Sequence, residues 1–101
     1  MGAVQFPCSL GTTVELTDER RQHIEQYHSD VLPFFDHIAE VLLTPEGIRK
    51  TLDDPQVLLF YKFYADILRG KYFVVVVKVN ARSFVLTAYL ARRLQTGELY
   101  E

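Results

Sequence analysis

Three histidines, the lysines Lys62 and Lys78 and a scatter of tyrosine and threonine hydroxyls are the side chains here whose types suit chemistry near neutral pH. Imidazole is the natural acid or base in that range, so His23, His28 and His37 are weighed first. On one continuous helix His23 and His28 would stand about 140° apart around the axis, too far to share a face. His28 falls where a helix beginning at Asp18 should end, so leaving the helix could redirect its ring, and the negative end of the dipole would favour its charged form. His37 lies opposite much of the apolar line of its own helix and reads as a solvent-side residue.

Other catalytic arrangements find little footing. No two histidines have the three- or four-residue spacing of a helical metal site, and Cys8 is the single cysteine, so no metal and no cofactor is expected. Asp53-Asp54-Pro55 reads as a turn, and neither a phosphate-cradling glycine loop nor a nucleophile elbow is present.

The remaining candidates depend on how strands display them. The run Tyr72-Phe73-Val74-Val75-Val76-Val77-Lys78-Val79 splits by alternation into Phe73, Val75, Val77 and Val79 on one face and Tyr72, Val74, Val76 and Lys78 on the other. A short turn near Ala81-Arg82 would pair Val79 with Phe84, Val77 with Leu86 and Val75 with Ala88, leaving Thr87 and Tyr89 beside Lys78. Aligning the preceding strand so that Lys62 and Tyr64 join them gives a line of Lys62, Tyr64, Tyr72, Lys78, Thr87 and Tyr89. An ordinary water-facing sheet surface fits that line. So does a concave phosphate site, where ammonium groups balance a developing dianionic phosphorane while hydroxyls orient it and aromatic rings stack unpaired bases.

The elements that must position these groups follow from pattern and punctuation. Residues 1–13, with Phe6-Pro7 and Gly11-Thr12-Thr13, read as a loosely held arm. Thr17 caps a helix over about Asp18 to His28, and Asp18 and Glu19 sit favourably in its first turn. A second helix starts near Ser29-Asp30, carries Phe34, Ile38, Val41 and Leu42 at helical spacing, tolerates Pro33 early, and stops at Thr44-Pro45. Four strands follow, Ile48 to Leu52, Val57 to Tyr64, Lys71 to Val79 and Ser83 to Ala91, and then a short tail over 95–101. The expectation is one α+β domain across 1–101, with two N-terminal helices packed on one face of a four-stranded antiparallel β-meander.

Composition agrees with a folded domain. At 101 residues, 49% of them hydrophobic, the chain can bury a core without staples. The net charge of −2 divides unevenly. Residues 1–47 carry two basic and eight acidic groups, whereas residues 48–101 carry nine basic and five acidic. A basic half attracts phosphate, although an acidic whole does not bind nucleic acid indiscriminately. No leader or membrane span is read, and a cytoplasmic location without membrane contact is expected.

From Val14 to Glu98 the sequence resembles the phage-type members of the barnase, EndoU, colicin and RelE-like nuclease superfamily. The resemblance rests on Thr-Asp-Glu-Arg-Arg-Gln-His-Ile (17–24), Tyr-His-Ser-Asp (27–30), Asp-Asp-Pro-Gln-Val-Leu-Leu-Phe-Tyr (53–61), Val-Val-Val-Val-Lys-Val (74–79) and Phe-Val-Leu-Thr-Ala-Tyr (84–89). It implies metal-independent RNA cleavage, toxin-like or phage-borne, through attack of the ribose 2′-hydroxyl. It implies His23 or His28 for proton transfer, Lys78 for the phosphate charge, and Thr87 with Tyr89 for orientation. By the sheet-face alignment above, and not by the resemblance, Lys62, Tyr64 and Tyr72 would touch substrate. Ser29 departs from the pattern, where a proline is expected after the Tyr-His pair. The implied partners are RNA and a neutralising protein. A catalytically inactive RNA- or protein-binding module on the same fold, or a small structural subunit that dimerises through its sheet edge, are the alternatives.

Overall fold

The computed structural model describes residues 3–94 and 98–99. The expected tail over 95–101 lies outside them, apart from Glu98 and Leu99. The class is α+β, but the four-stranded meander is overturned. The strands β1 (Ala3–Pro7), β2 (Thr13–Thr17), β3 (Gly47–Lys50), β4 (Val57–Tyr64), β5 (Lys71–Lys78) and β6 (Ser83–Ala91) form one mixed sheet in the order β1-β2-β6-β5-β4-β3, and the two-residue strand β7 (Glu98–Leu99) pairs with the outer side of β3.

The difference lies in the first seventeen residues. The supposed arm is a hairpin of β1 (Ala3–Pro7) and β2 (Thr13–Thr17), antiparallel in register from Ala3 opposite Thr17 to Pro7 opposite Thr13. Val14 and Leu16 enter the core at 1% and 2% exposure, and Glu15 and Thr17 face outward. The connecting turn is held by the Cys8 N–H on the Thr12 carbonyl and the Ser9 N–H on the Leu42 carbonyl, both at 2.9 Å. Cys8 is buried with that core, not in a mobile segment. Only Val14 and Glu15 of β2 pair with β6, in parallel with Ser83 and Phe84, so most of the β6 edge is left without a strand partner.

The helix α1 (Asp18–Tyr27) takes that place. The Thr17 hydroxyl accepts the Arg20 N–H at 3.2 Å, Ile24 is fully buried, and the Arg20 Nε donates to the Leu86 carbonyl on the β6 edge at 2.8 Å. The second expected helix is broken. A 3-10 segment, Ser29–Phe34, precedes α2 (His37–Leu43), because Pro33 has no N–H to donate and its ring crowds the preceding turn. Val31, Ile38, Val41 and Leu42 from these pieces still fill the core against Phe60, Phe73, Val75, Val77, Val85 and Ala88.

The strands β3 (Gly47–Lys50), β4 (Val57–Tyr64), β5 (Lys71–Lys78) and β6 (Ser83–Ala91) pair antiparallel in sequence order. Gly70, at φ 103°, turns the chain between β4 and β5, where a side chain would be strained. Two register expectations fail. A bulge lies between Val76 and Val77, so Val77 faces Val85 and Lys78 faces Phe84, with Leu86 as the extra residue. In addition, Tyr72 pairs with Phe63 and Phe73 with Lys62, which sends Lys62 and Tyr64 to the helix-covered face, away from Tyr72 and Lys78.

The second face is apolar at its centre. Leu59, Tyr61, Val74 and Val76 are buried there, and Val57, Tyr72, Leu86, Tyr89, Ala91 and Leu94 pack around them. Leu94 leads out of β6, whereas β7 pairs with β3 three strands away. Among the described residues no helix is long and apolar enough to cross a membrane.

Candidate functional site

Leaving the helix redirects His28. As the residue after α1 it takes φ −137° and ψ 53°, while its N–H still reaches the Ile24 carbonyl at 2.8 Å. The turn carries its ring back beside His23, with centroids 6.0 Å apart, although a straight helix would hold the two apart. The His28 ring also lies 6.1 Å from the ring of Tyr89. Tyr27 adds a fourth ring, 5.1 Å from His23. Three sequence-derived candidates, His23, His28 and Tyr89, therefore come together where α1 runs along β6.

The electrostatics of this cluster separate its members. The pKa of His23 is lowered below 6.5 by burial first, then by the positive charges of Arg20 and His28. Its imidazole is consequently neutral and able to accept a proton near pH 7. Burial raises the pKa of Tyr89, so its phenol keeps its proton and serves as a donor. Thr87, two residues earlier on the same side of β6, has a buried Oγ1 with no hydrogen-bond partner among the described residues.

Lys78 is elsewhere. Its Nζ lies 2.7 Å from the Asp54 carboxylate, whose pKa is lowered chiefly by that bond. Tyr89 sits opposite Val74, four residues from Lys78 along β5, or about 13 Å of strand. Asp54 also accepts the Gln56 N–H at 2.9 Å, which makes the Asp-Asp-Pro segment a turn that anchors the lysine.

Lys62, Tyr64 and His37 form a separate group at the α2 end of the helix-covered face. The His37 ring is not solvent-side as expected. It stacks on Tyr64 at 4.3 Å with the planes 6° apart, and meets Phe73 edge-on at 6.0 Å. The Tyr64 hydroxyl donates to Glu40, and burial together with that bond raises its pKa far above the usual value. The Lys62 Nζ donates to the Thr44 hydroxyl at 3.1 Å and lies 3.8 Å from Glu40, whose own pKa is lowered mainly by the Tyr64 bond. Tyr72, on the second face, meets Phe63 at 5.2 Å and Tyr61 at 6.0 Å, both edge-on. Among the described residues the partners of Lys62, Tyr64 and Tyr72 do not include His23 or His28.

Sequence reasoning passed over Arg20 and Tyr27. With His23 they occupy positions i, i+3 and i+7 of α1, one stripe of the helix, and that spacing was a readable signal. Arg20 also borders an open groove of about 310 Å³ shared with Glu15, Glu19, Asn80, Arg82 and Phe84. There Arg82 lies 3.3 Å from Glu15, so the groove is close to charge-balanced. Among the described residues no three His, Cys, Asp or Glu side chains group as metal ligands would.

No protein-family model matches the chain, and comparison with curated proteins and with solved structures gives no match. The functional reading therefore rests on the residues and their arrangement.

Proposed function

We propose that the chain is a metal-independent ribonuclease whose acid and base are the two clustered imidazoles. His23, held neutral, takes the proton of a ribose 2′-hydroxyl as its oxygen attacks phosphorus. His28 acts as the acid, its imidazolium form giving a proton to the departing 5′-oxygen as the P–O5′ bond breaks. The products are a 2′,3′-cyclic phosphate and a 5′-hydroxyl end, and the two histidines finish with their protonation exchanged. Arg20 and the Tyr89 phenol face the charge that builds on the phosphorane, where fixed donors are most effective. Lys78 is assigned an anchoring role through Asp54 and takes no part in the step.

The observation that carries this reading is the approach of the His28 ring to 6.0 Å from His23 and 6.1 Å from Tyr89. A lone surface histidine has no such company. An acid and a base each contribute on the order of 10²–10⁴-fold to a rate. The test is cleavage of a panel of RNAs by chelator-treated protein. Wild type should cut, and His23→Ala and His28→Ala should each lose at least about a hundredfold. A folded wild type that leaves every RNA intact, or alanine variants that cut as fast as wild type, would refute it.

A further inference from the structure

We infer that Tyr27 is a base-stacking platform at this site, so that the RNA taken is unpaired at the nucleotide beside the cleaved bond. The inference rests on the acid–base reading above. Tyr27 closes α1 and is 65% exposed, although Ile24 one turn earlier is fully buried. The His23 ring meets it at 5.1 Å with a 46° tilt. Tyr27 is thus left largely to solvent beside the His23 imidazole.

Spacing along the helix explains why a ring belongs there. Arg20, His23 and Tyr27 share one stripe, with about 4.5 Å of rise between the first two and about 6 Å between the second and third. A phosphate held over Arg20, His23 and His28 leaves the base of its attached nucleotide within reach of Tyr27. Aromatic side chains receive bases through their π-faces, whatever the base. A base inside an A-form duplex is already stacked on its neighbours and cannot be offered this way. The arrangement therefore selects single-stranded RNA with little sequence preference.

The chain has no tryptophan, so Tyr27→Trp introduces a single indole as a reporter. In the His28→Ala background, which should bind without cutting, a single-stranded oligonucleotide is titrated against the duplex of the same sequence. Indole emission reports stacking, and anisotropy of labelled RNA reports binding. Saturable quenching by the single strand is expected, with the duplex bound at least about tenfold more weakly. In the same background Tyr27→Ala should weaken single-strand binding by about tenfold or more, and Tyr27→Phe should leave it nearly unchanged. Binding without quenching, equal affinity for duplex, an unaffected Tyr27→Ala, or no binding at all would each overturn the inference. The two proposals fail separately. Undiminished cleavage by Tyr27→Ala removes the platform and leaves the acid–base pair; quenching by RNA that wild type never cuts removes the chemistry and leaves the platform.

Discussion

Replacing Arg20 by methionine separates two jobs that one side chain performs. Its Nε donates to the Leu86 carbonyl at 2.8 Å, fastening α1 to the β6 edge at the bulge. A hydrogen bond from a charged donor contributes about 1.5–3 kcal/mol, and the partly buried setting argues for the lower end. Against this, a cation in the first turn of a helix opposes the dipole, and removing it returns about 0.3–0.5 kcal/mol. The methionine stem keeps the packing of the arginine chain. The net loss is then about 1 kcal/mol, equal to a fall in Tm of about 4–8 °C for a domain of this size. The same substitution removes one of the positive charges that depress His23, so its pKa should rise toward 6.5. Thermal unfolding and proton NMR of the imidazole C–H signals read the two effects independently. Arg20→Lys should hold the His23 pKa low while losing part of the stability. An unchanged Tm together with an unmoved His23 titration would refute both the bond and the electrostatic coupling.

Two further substitutions test the neighbourhoods of the site. Tyr64→Phe deletes the hydroxyl that donates to Glu40, a half-exposed carboxylate, and should cost about 0.5–1 kcal/mol in urea unfolding at pH 7. Because the folded pKa of Tyr64 is raised, its contribution is complete below pH 10 and is lost as the pH climbs past that value; the phenylalanine variant should not share that alkaline loss, and equal alkaline curves would contradict it. Thr87→Val swaps the buried, unpartnered hydroxyl for a methyl group of similar size and should stabilise by about 1 kcal/mol; destabilisation would mean the Oγ1 has a partner in solution.

Local signals were legible and distant ones were not. The Thr17 cap, the start of α1 and the ends of β4 and β6 depend on nearby residues, and they lie where the sequence puts them. The β1–β2 hairpin carried a readable sign in Val14-Glu15-Leu16-Thr17, a period-two alternation obscured by the turn residues before it. The bulge at Leu86 had none, since no glycine marks it, and without it the partner of Val77 comes out wrong. Lys62 and Tyr64 changed faces because one residue of slip between β4 and β5 exchanges every side chain. His37 stacks on a tyrosine 27 positions away, a contact helical periodicity does not encode. At the site, the end of α1 after Tyr27 was the useful clue. It allowed His28 to turn, but its approach to both His23 and Tyr89 depends on α1 occupying the edge that a short β2 leaves open.

The acid–base claim is tested most directly by mass spectrometry of products from a chelator-treated digest of single-stranded RNA. The parallel substrate carries a single 2′-deoxy nucleotide at the preferred cleavage position. The account predicts 2′,3′-cyclic phosphate and 5′-hydroxyl ends, no cut at the deoxy position, and loss of both products with His23→Ala or His28→Ala. Cleavage that proceeds through the deoxy position, or that leaves 5′-phosphate ends, would contradict it.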